Sequence, residues 1–253
     1  MNEYNQVVSD AMHELRYFNQ RLKNLMEEVS KKVAIGKINT KEPISMNYQN
    51  ADELRLLAES ILEISMLFTS RLDFIECELN PDAINDLPVS DFNMFGKFDK
   101  AKRVLNAFSR GKKVKVSMSY DSSSKSKSRT IKARSIIDIL PYLILDNAIK
   151  YSPSDSDVDI EYVEYDNSAI IKVESVGPFV NKEDIVNVFN KGYRSPNAKQ
   201  NRTTPGKGLG LYFAKYICDI NNIKLNVYSD KLNYQLSGID MSKFRVEISF
   251  SLI

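Results

Sequence analysis

The chain has 253 residues, which at roughly 150 residues per domain corresponds to one or two domains with a core large enough to fold without disulfides. Its net charge is +2, from 35 basic and 33 acidic residues, so neither nucleic acid nor an anionic membrane is expected as the main partner. Two cysteines, Cys77 and Cys218, and a single histidine exclude a zinc site built from Cys and His ligands. No apolar run approaches the roughly 20 residues that span a bilayer and no signal peptide opens the chain, so we expect a cytoplasmic protein without a membrane segment.

The first 80 residues carry the spacing of two long packed helices. Apolar side chains recur every seven residues in two rows, at Val8, Leu15, Leu22 and Val29 and at Met12, Met26 and Val33, with the polar Asn19 between Met12 and Met26 in the second row. After a break that contains Gly36 and Pro43, the same spacing returns at Leu54, Ile61, Phe68 and Ile75. We therefore predict an antiparallel helical hairpin over residues 1–80. Because two helices cannot cover apolar faces this wide, the hairpin is expected to form a dimeric four-helix bundle, with packing on the chain's own second domain as the alternative.

Residues 81–253 are predicted to form a second domain of the α+β class. Alternating apolar residues predict strands at 114–120, 158–165, 169–174, 224–229 and 244–252. Helical spacing predicts helices at 95–108, 133–151, 183–190 and 209–222, and the polar segments 121–129 and 195–205 are predicted as loops. Helices and antiparallel hairpins in this order are typical of one sheet covered by helices.

The run Gly206-Lys207-Gly208-Leu209-Gly210-Leu211 is the most informative motif. Glycines at alternate positions leave the backbone amides bare, and a helix that starts there points its positive end at the same place, so the run predicts a phosphate cradle. It lacks the Ser or Thr and the leading strand of a P-loop, and its spacing differs from the dinucleotide fingerprint. Taken alone, the run could equally be a helix-entry turn without a ligand.

Two upstream segments favour the nucleotide interpretation. Asn147 and Lys150 lie three residues apart on one face of a predicted helix, where an amide oxygen can hold Mg²⁺ while an ammonium meets phosphate. Between that helix and the glycine run, Ser175-Val176-Gly177-Pro178 ends a predicted strand in a turn. Together the three segments supply donors for a metal and for phosphates.

With these motifs the chain resembles the catalytic domain of bacterial sensor histidine kinases, in the GHKL superfamily shared with gyrase, Hsp90 and MutL. The resemblance covers an N box at 145–152, a G1 box at 175–179, an F box at 188–194, a lid at 195–205 and a G2 box at 206–211. It implies a Bergerat-type α/β sandwich with a mixed sheet covered by helices. The hairpin then resembles the dimerisation and histidine-phosphotransfer domain of the same family.

The resemblance also implies a role for the single histidine. His13, in Met12-His13-Glu14-Leu15-Arg16, is similar to the family's H box and would accept the γ-phosphoryl group of ATP, with Glu14 as its base. The phosphoryl group would pass to an aspartate of a response-regulator receiver domain. The implied cofactors are ATP and Mg²⁺, with Asn147 as the metal ligand. The implied nucleotide-binding residues are Asn147, Lys150, Tyr151, Ser175, Gly177, Arg194, Gly206, Lys207, Gly208, Leu209, Gly210 and Leu211.

Three positions of the second domain depart from the family pattern. Ser175 stands where the family has the aspartate that recognises adenine, and Phe179 replaces the second glycine of the G1 box. Leu143 replaces a polar N-box residue and cannot activate water, which favours transfer to His13 over ATP hydrolysis. The alternative function is a phosphotransfer adaptor or an ATP-gated binding module without autokinase activity, and the intact glycine run argues against it.

Overall fold

This computed structural model describes residues 22, 24–29, 31, 54–55, 57–58, 61, 64–65, 68, 72, 74–121, 129–200 and 207–253. The chain divides into two compact units, Met1–Asp86 and Leu87–Ile253. The predicted boundary lay near Asn80-Pro81, a few residues earlier. None of the helices within the described ranges is long and apolar enough to cross a bilayer.

In the first unit the described residues of 22–31 and 54–79 are all helical. Ile64, Phe74 and Cys77 are buried there, and a 3-10 helix at Pro81–Asp86 closes the unit. The first heptads and the break with Gly36 and Pro43 lie outside the described residues. The dimeric bundle, and the assignment of residues 1–80 to dimerisation and phosphotransfer, stay predictions.

The second unit contains seven described strands and five described α-helices. In chain order they are β1 (Val89–Phe92), α1 (Met94–Val104), α2 (Asn106–Gly111), β2 (Val114–Tyr120), β3 (Ile131–Arg134), α3 (Leu140–Tyr151), β4 (Ser156–Glu164), β5 (Ser168–Pro178), α4 (Pro196–Gln200), α5 (Gly210–Ile220), β6 (Lys224–Leu236) and β7 (Ile239–Ser251). Two 3-10 helices lie at Ser135–Ile139 and Lys182–Phe189.

Five of the strands form one mixed sheet in the order β2-β4-β5-β7-β6. The β2–β4 pair is parallel and the other neighbours are antiparallel, so the predicted α+β class with a mixed sheet covered by helices is confirmed. On β5, and on β4 as far as Tyr162, every second side chain is buried, and the register pairs Ile160 with Val173 and Tyr162 with Ile171. This alternation gives the sheet one apolar face.

Helix α3 packs on that face through β5, and α1 and α5 pack against α3. Its buried side chains include Leu140, Ile144, Leu145 and Ile149, which recur at helical spacing. Each fully buried aliphatic side chain of this kind contributes about 1.5–3 kcal/mol. The core therefore holds α3 firmly, and the position of α3 matters for the site described below.

Several predicted elements need correction. The helix predicted over 133–151 begins only at Leu140, because residues 131–134 pair as β3 with β1, a strand that we did not predict. In β1 three of four side chains are exposed, so its sequence carries no alternation. The helix predicted over 95–108 divides at Leu105, whose side chain is buried, and the helix predicted at 183–190 is a 3-10 helix.

The last two strands are longer than predicted. They form one hairpin whose turn, Ser237-Gly238, has positive φ at both residues. The second half of β6 lies at the edge of the sheet and is mostly exposed, so the alternation of Leu232, Tyr234 and Leu236 with polar residues does not mark a buried face. Helix α5, in contrast, follows the glycine run as predicted.

Candidate nucleotide site

The contact between α3 and the start of α5 brings the N box to the glycine run. Gly210 is the first residue of α5, and a Cβ atom placed on it would lie 2.8 Å from Nδ2 and 3.1 Å from Oδ1 of Asn147. Only a residue without a side chain leaves room for the Asn147 amide there. The sequence-predicted metal ligand and the sequence-predicted phosphate cradle are therefore direct neighbours.

The glycine run also contacts the F box. Gly208 has a φ of +72°, its carbonyl accepts a hydrogen bond of 3.2 Å from the Gly192 amide, and a Cβ on it would overlap the carbonyl oxygen of Tyr193. Glycine is thus required at position 208 both by its backbone angle and by this close approach. Of its neighbours, Leu209 is buried, Leu211 is half-buried and Lys207 is exposed. Gly206 lies outside the described residues.

The first turn of α5 suits an anion. It contains no acidic residue, and its leading amides have no side-chain cap. Backbone N–H groups at a helix start carry a partial positive charge and bind phosphate oxygens readily. This end of α5 can therefore serve as the phosphate cradle that the sequence predicts.

Tyr151 joins three of the predicted boxes. A Cβ on Gly177 would lie 3.9 Å from the Tyr151 Cβ, so the last turn of α3 rests on the end of β5. Burial raises the pKa of Tyr151, while the charge of Arg194 and its hydrogen bond to the phenol act in the opposite direction. Arg194 also donates to the carbonyl of Ala198 in α4, at 2.5 Å. The N, G1 and F boxes thus meet at one side chain.

Ser175 lies on the buried face of β5, opposite Val158 on one side and Phe244 on the other. Its exposed fraction is 7%, so a side chain here borders the layer between sheet and helices. A hydroxyl is shorter than a carboxylate and uncharged, and it offers an adenine amino group a weaker acceptor.

A chain of two hydroxyl groups, one on the half-buried Ser229 and one on the buried Ser242, holds the turn that follows Ser175. The Val180 amide donates to Ser229 Oγ at 3.0 Å, Ser229 donates to Ser242 Oγ at 2.9 Å, and Ser242 donates to the Gly177 carbonyl at 3.3 Å. Each donor has an acceptor, which is what a buried polar network needs. Ser229 and Ser242 lie on β6 and β7, far along the chain, and no sequence signal marks them.

Phe179 is held from both sides. Its amide donates to the Asp240 carbonyl at 2.8 Å, and its own carbonyl accepts from Asn197 Nδ2 at 2.8 Å. The ammonium of Lys231 lies 5.5 Å from the centre of the Phe179 ring. Hydrogen bonds from Lys231 and Gln235 lower the pKa of Asp240. The residue that replaces a family glycine is therefore packed under the β6–β7 hairpin.

Four predicted positions remain to be placed, of which Lys150 is half-buried in the last turn of α3. His13 and Glu14 lie outside the described residues, and Leu143 is half-buried on α3. In the part of the chain that the structure describes, no group of three or more His, Cys, Asp or Glu side chains could hold a metal ion. The site roles of the residues named above stay predictions.

A glycine-rich helix start that meets an amide-bearing helix over a mixed sheet is an arrangement suited to phosphate binding in an α/β sandwich. Residues 142–250 match the family described as Histidine kinase-, DNA gyrase B-, and HSP90-like ATPase. The chain is 26% identical over 221 residues to the sensor protein CiaH of Streptococcus pneumoniae, which is 87% of this chain and 45% of that protein. It is 37% identical over 87 residues to the sensor histidine kinase YkoH of Bacillus subtilis, 34% of this chain and 18% of that protein.

Among solved structures, full-length ShkA in complex with AMPPNP superposes with a TM-score of 0.52 at 15% identity, over 98% of this chain and 46% of that one. At that identity the likeness shows the fold alone. The chain is similar to bacterial sensor histidine kinases, and residues 142–250 of its second unit match the ATPase-like family, which confirms the resemblance. It spans less than half the length of the curated relatives named here.

Proposed function

We propose that this chain acts as a homodimeric histidine protein kinase. It transfers the γ-phosphoryl group of ATP to His13 and then to an aspartate on a response-regulator receiver domain. The contact of Asn147 with Gly210 carries the proposal, because it sets a metal-binding amide beside a bare-amide phosphate cradle. Sequence similarity to sensor histidine kinases supports the choice of His13 as the acceptor of the phosphoryl group.

The phosphoryl transfer needs positioning more than covalent chemistry from the protein. An imidazole nitrogen of His13 attacks the γ-phosphorus, a nitrogen–phosphorus bond forms, and the bond to the bridging oxygen breaks so that ADP leaves with the electron pair. Glu14 accepts the proton from the other ring nitrogen, which keeps the attacking nitrogen nucleophilic. Lys150 and Arg194 meet the phosphates, and the amides of Gly208 and Gly210 cradle them.

The donor set around Asn147 fits Mg²⁺ carried by a nucleotide. Mg²⁺ at phosphate sites keeps several waters and takes only one or two protein oxygens, so a single amide oxygen beside the cradle is enough. Asn147 would hold the ion, which supplies charge neutralisation at the phosphates when bound. Tyr151 and Gly177 form the adjoining wall, and Ser175 faces the base.

Incubation of the full chain with γ-labelled ATP and Mg²⁺ tests the proposal. We expect an acid-labile, alkali-stable label on the wild type, none on His13→Gln, and roughly 10²-fold slower labelling of Glu14→Gln, the lower range for a general base. α-labelled ATP is the control and should leave no label. Label that persists on His13→Gln would overturn the kinase function, and bound ATP without any label would favour the ATP-gated binding module.

A further inference from the structure

The last turn of α3 is held by a lysine from outside the helix. Lys112, directly after α2, donates from Nζ to the carbonyl of Ile149 at 2.8 Å and also to the carbonyl of Lys150. The last four carbonyls of a helix have no partner within it. A cation near these carbonyls is also attracted by the negative end of the helix dipole. Ser152 completes the cap, since its hydroxyl and its amide both donate to the Ala148 carbonyl.

The turn that carries Lys112 is itself fixed. The Lys112 amide donates to the Phe108 carbonyl at 3.2 Å, and the Lys113 amide donates to the Arg110 carbonyl at 3.0 Å. Lys113 has a φ of +59°, and its carbonyl accepts from the Asp155 amide at 2.9 Å. The turn therefore binds both to the end of α3 and to the loop beyond it. These backbone hydrogen bonds hold the turn in place independently of the Lys112 side chain.

We infer that Lys112 is a positioning residue of the nucleotide site: by holding the carbonyls of Ile149 and Lys150, it fixes the turn from which Lys150 reaches the phosphates. The inference rests on the proposed function. Lys112 acts through α3 and needs no contact with the nucleotide. Burial and the charge of Lys150 lower the pKa of Lys112, while the charge of Asp146 acts in the opposite direction.

Comparing ATP with adenosine separates positioning from general stability. Lys112→Met keeps the aliphatic stem and removes the donors, so Lys150 should lose its fixed approach to the phosphates. We expect this variant to bind ATP about tenfold more weakly, the equivalent of one charge-assisted hydrogen bond, and to bind adenosine within twofold of wild type. Lys112→Arg should recover part of the loss, since a guanidinium also donates to two carbonyls. Lys115→Met, an exposed lysine on β2, is the matched control and should bind both ligands as wild type does.

The outcomes distinguish this inference from the proposed function. A wild-type chain that binds no ATP would overturn the proposed function and the inference with it. Normal ATP binding by both wild type and Lys112→Met would overturn the inference alone. An equal loss of ATP and adenosine affinity would assign Lys112 a purely structural role and would also overturn it. If Lys112→Met unfolds at the assay temperature, Lys112→Leu, which is also apolar and has no donor, provides the same comparison.

Discussion

Gly210 lies so close to the side chain of Asn147 that a methyl group on it would come within 2.8 Å of Nδ2. That distance is shorter than any real contact of a methyl carbon, so the amide would have to move. The two residues lie on different helices and belong to different boxes of the family pattern. Their contact turns two separate sequence motifs into one site.

Gly208 and Gly238 provide a matched pair of substitutions. Both have positive φ, but a Cβ on Gly208 would overlap the Tyr193 carbonyl oxygen while Gly238 has open space around it. Gly238→Ala should lower the free energy of unfolding by about 1–2 kcal/mol, the cost of a left-handed alanine. Gly208→Ala should cost about 1–3 kcal/mol more, because the F-box backbone must shift. Urea denaturation followed by circular dichroism measures both, and equal losses would contradict the close approach.

Ser175→Asp should tighten ATP binding by roughly tenfold. A carboxylate in this buried position would add one charge-assisted hydrogen bond to the adenine amino group, worth about 1.5–3 kcal/mol. Ser175→Asn, with similar shape and no charge, is the control and should gain little. Calorimetry with ATP and GTP checks the prediction, and tight, adenine-specific binding by the wild type would mean that another residue already makes this contact.

Ser242→Ala should destabilise the second unit by about 1–3 kcal/mol. The substitution leaves the Gly177 carbonyl and the Ser229 hydroxyl without their buried partner. Ser251→Ala, at the exposed end of the same strand, should change stability by less than about 0.5 kcal/mol. Thermal unfolding of the two variants at pH 7 compares them directly. Equal midpoints would show that the hydroxyl chain does not hold the turn after Ser175.

Stability should fall as the pH rises above about 9. Burial and the charge of Asp219 raise the pKa of Cys218 from 9.0 to about 12, and burial and the charge of Glu164 raise that of Tyr162 from 10.0 to about 12. The unfolded chain therefore releases these protons at lower pH than the native chain does, and each group costs up to about 1.4 kcal/mol per pH unit between its two pKa values. Below about pH 8 both groups are almost fully protonated in either state and contribute little slope.

Urea midpoints between pH 8 and 11 measure this dependence. Cys218→Ala and Tyr162→Phe should each flatten the alkaline decline, whatever they do to stability at pH 8. A double variant whose midpoint falls as steeply as that of wild type would show that these two groups are not the cause.

Elements with a strong local pattern could be predicted from the sequence. The glycine run predicted the start of α5, and the apolar spacing around Asn147 predicted the helix that carries it. The β1–β3 pair could not be predicted, because very short strands place little periodic constraint on their side chains. The second half of β6 does alternate, at Leu232, Tyr234 and Leu236, and this signal could have extended the predicted strand. Contacts between residues that are far apart in the sequence could not be predicted either. Lys112 meets a carbonyl 38 residues away, and no local pattern records that pairing.

The most direct measurement of the central claim is calorimetric titration of ATP and Mg²⁺ into wild type, Gly210→Ala, Asn147→Ala and the double variant. The claim is that α3 and the start of α5 hold one nucleotide between them. We predict one bound nucleotide per chain, at least tenfold weaker binding in each single variant, and a double variant little weaker than either, since the two changes disable the same contact. Wild type that binds no nucleotide, or Gly210→Ala that binds it as tightly as wild type does, would contradict the account.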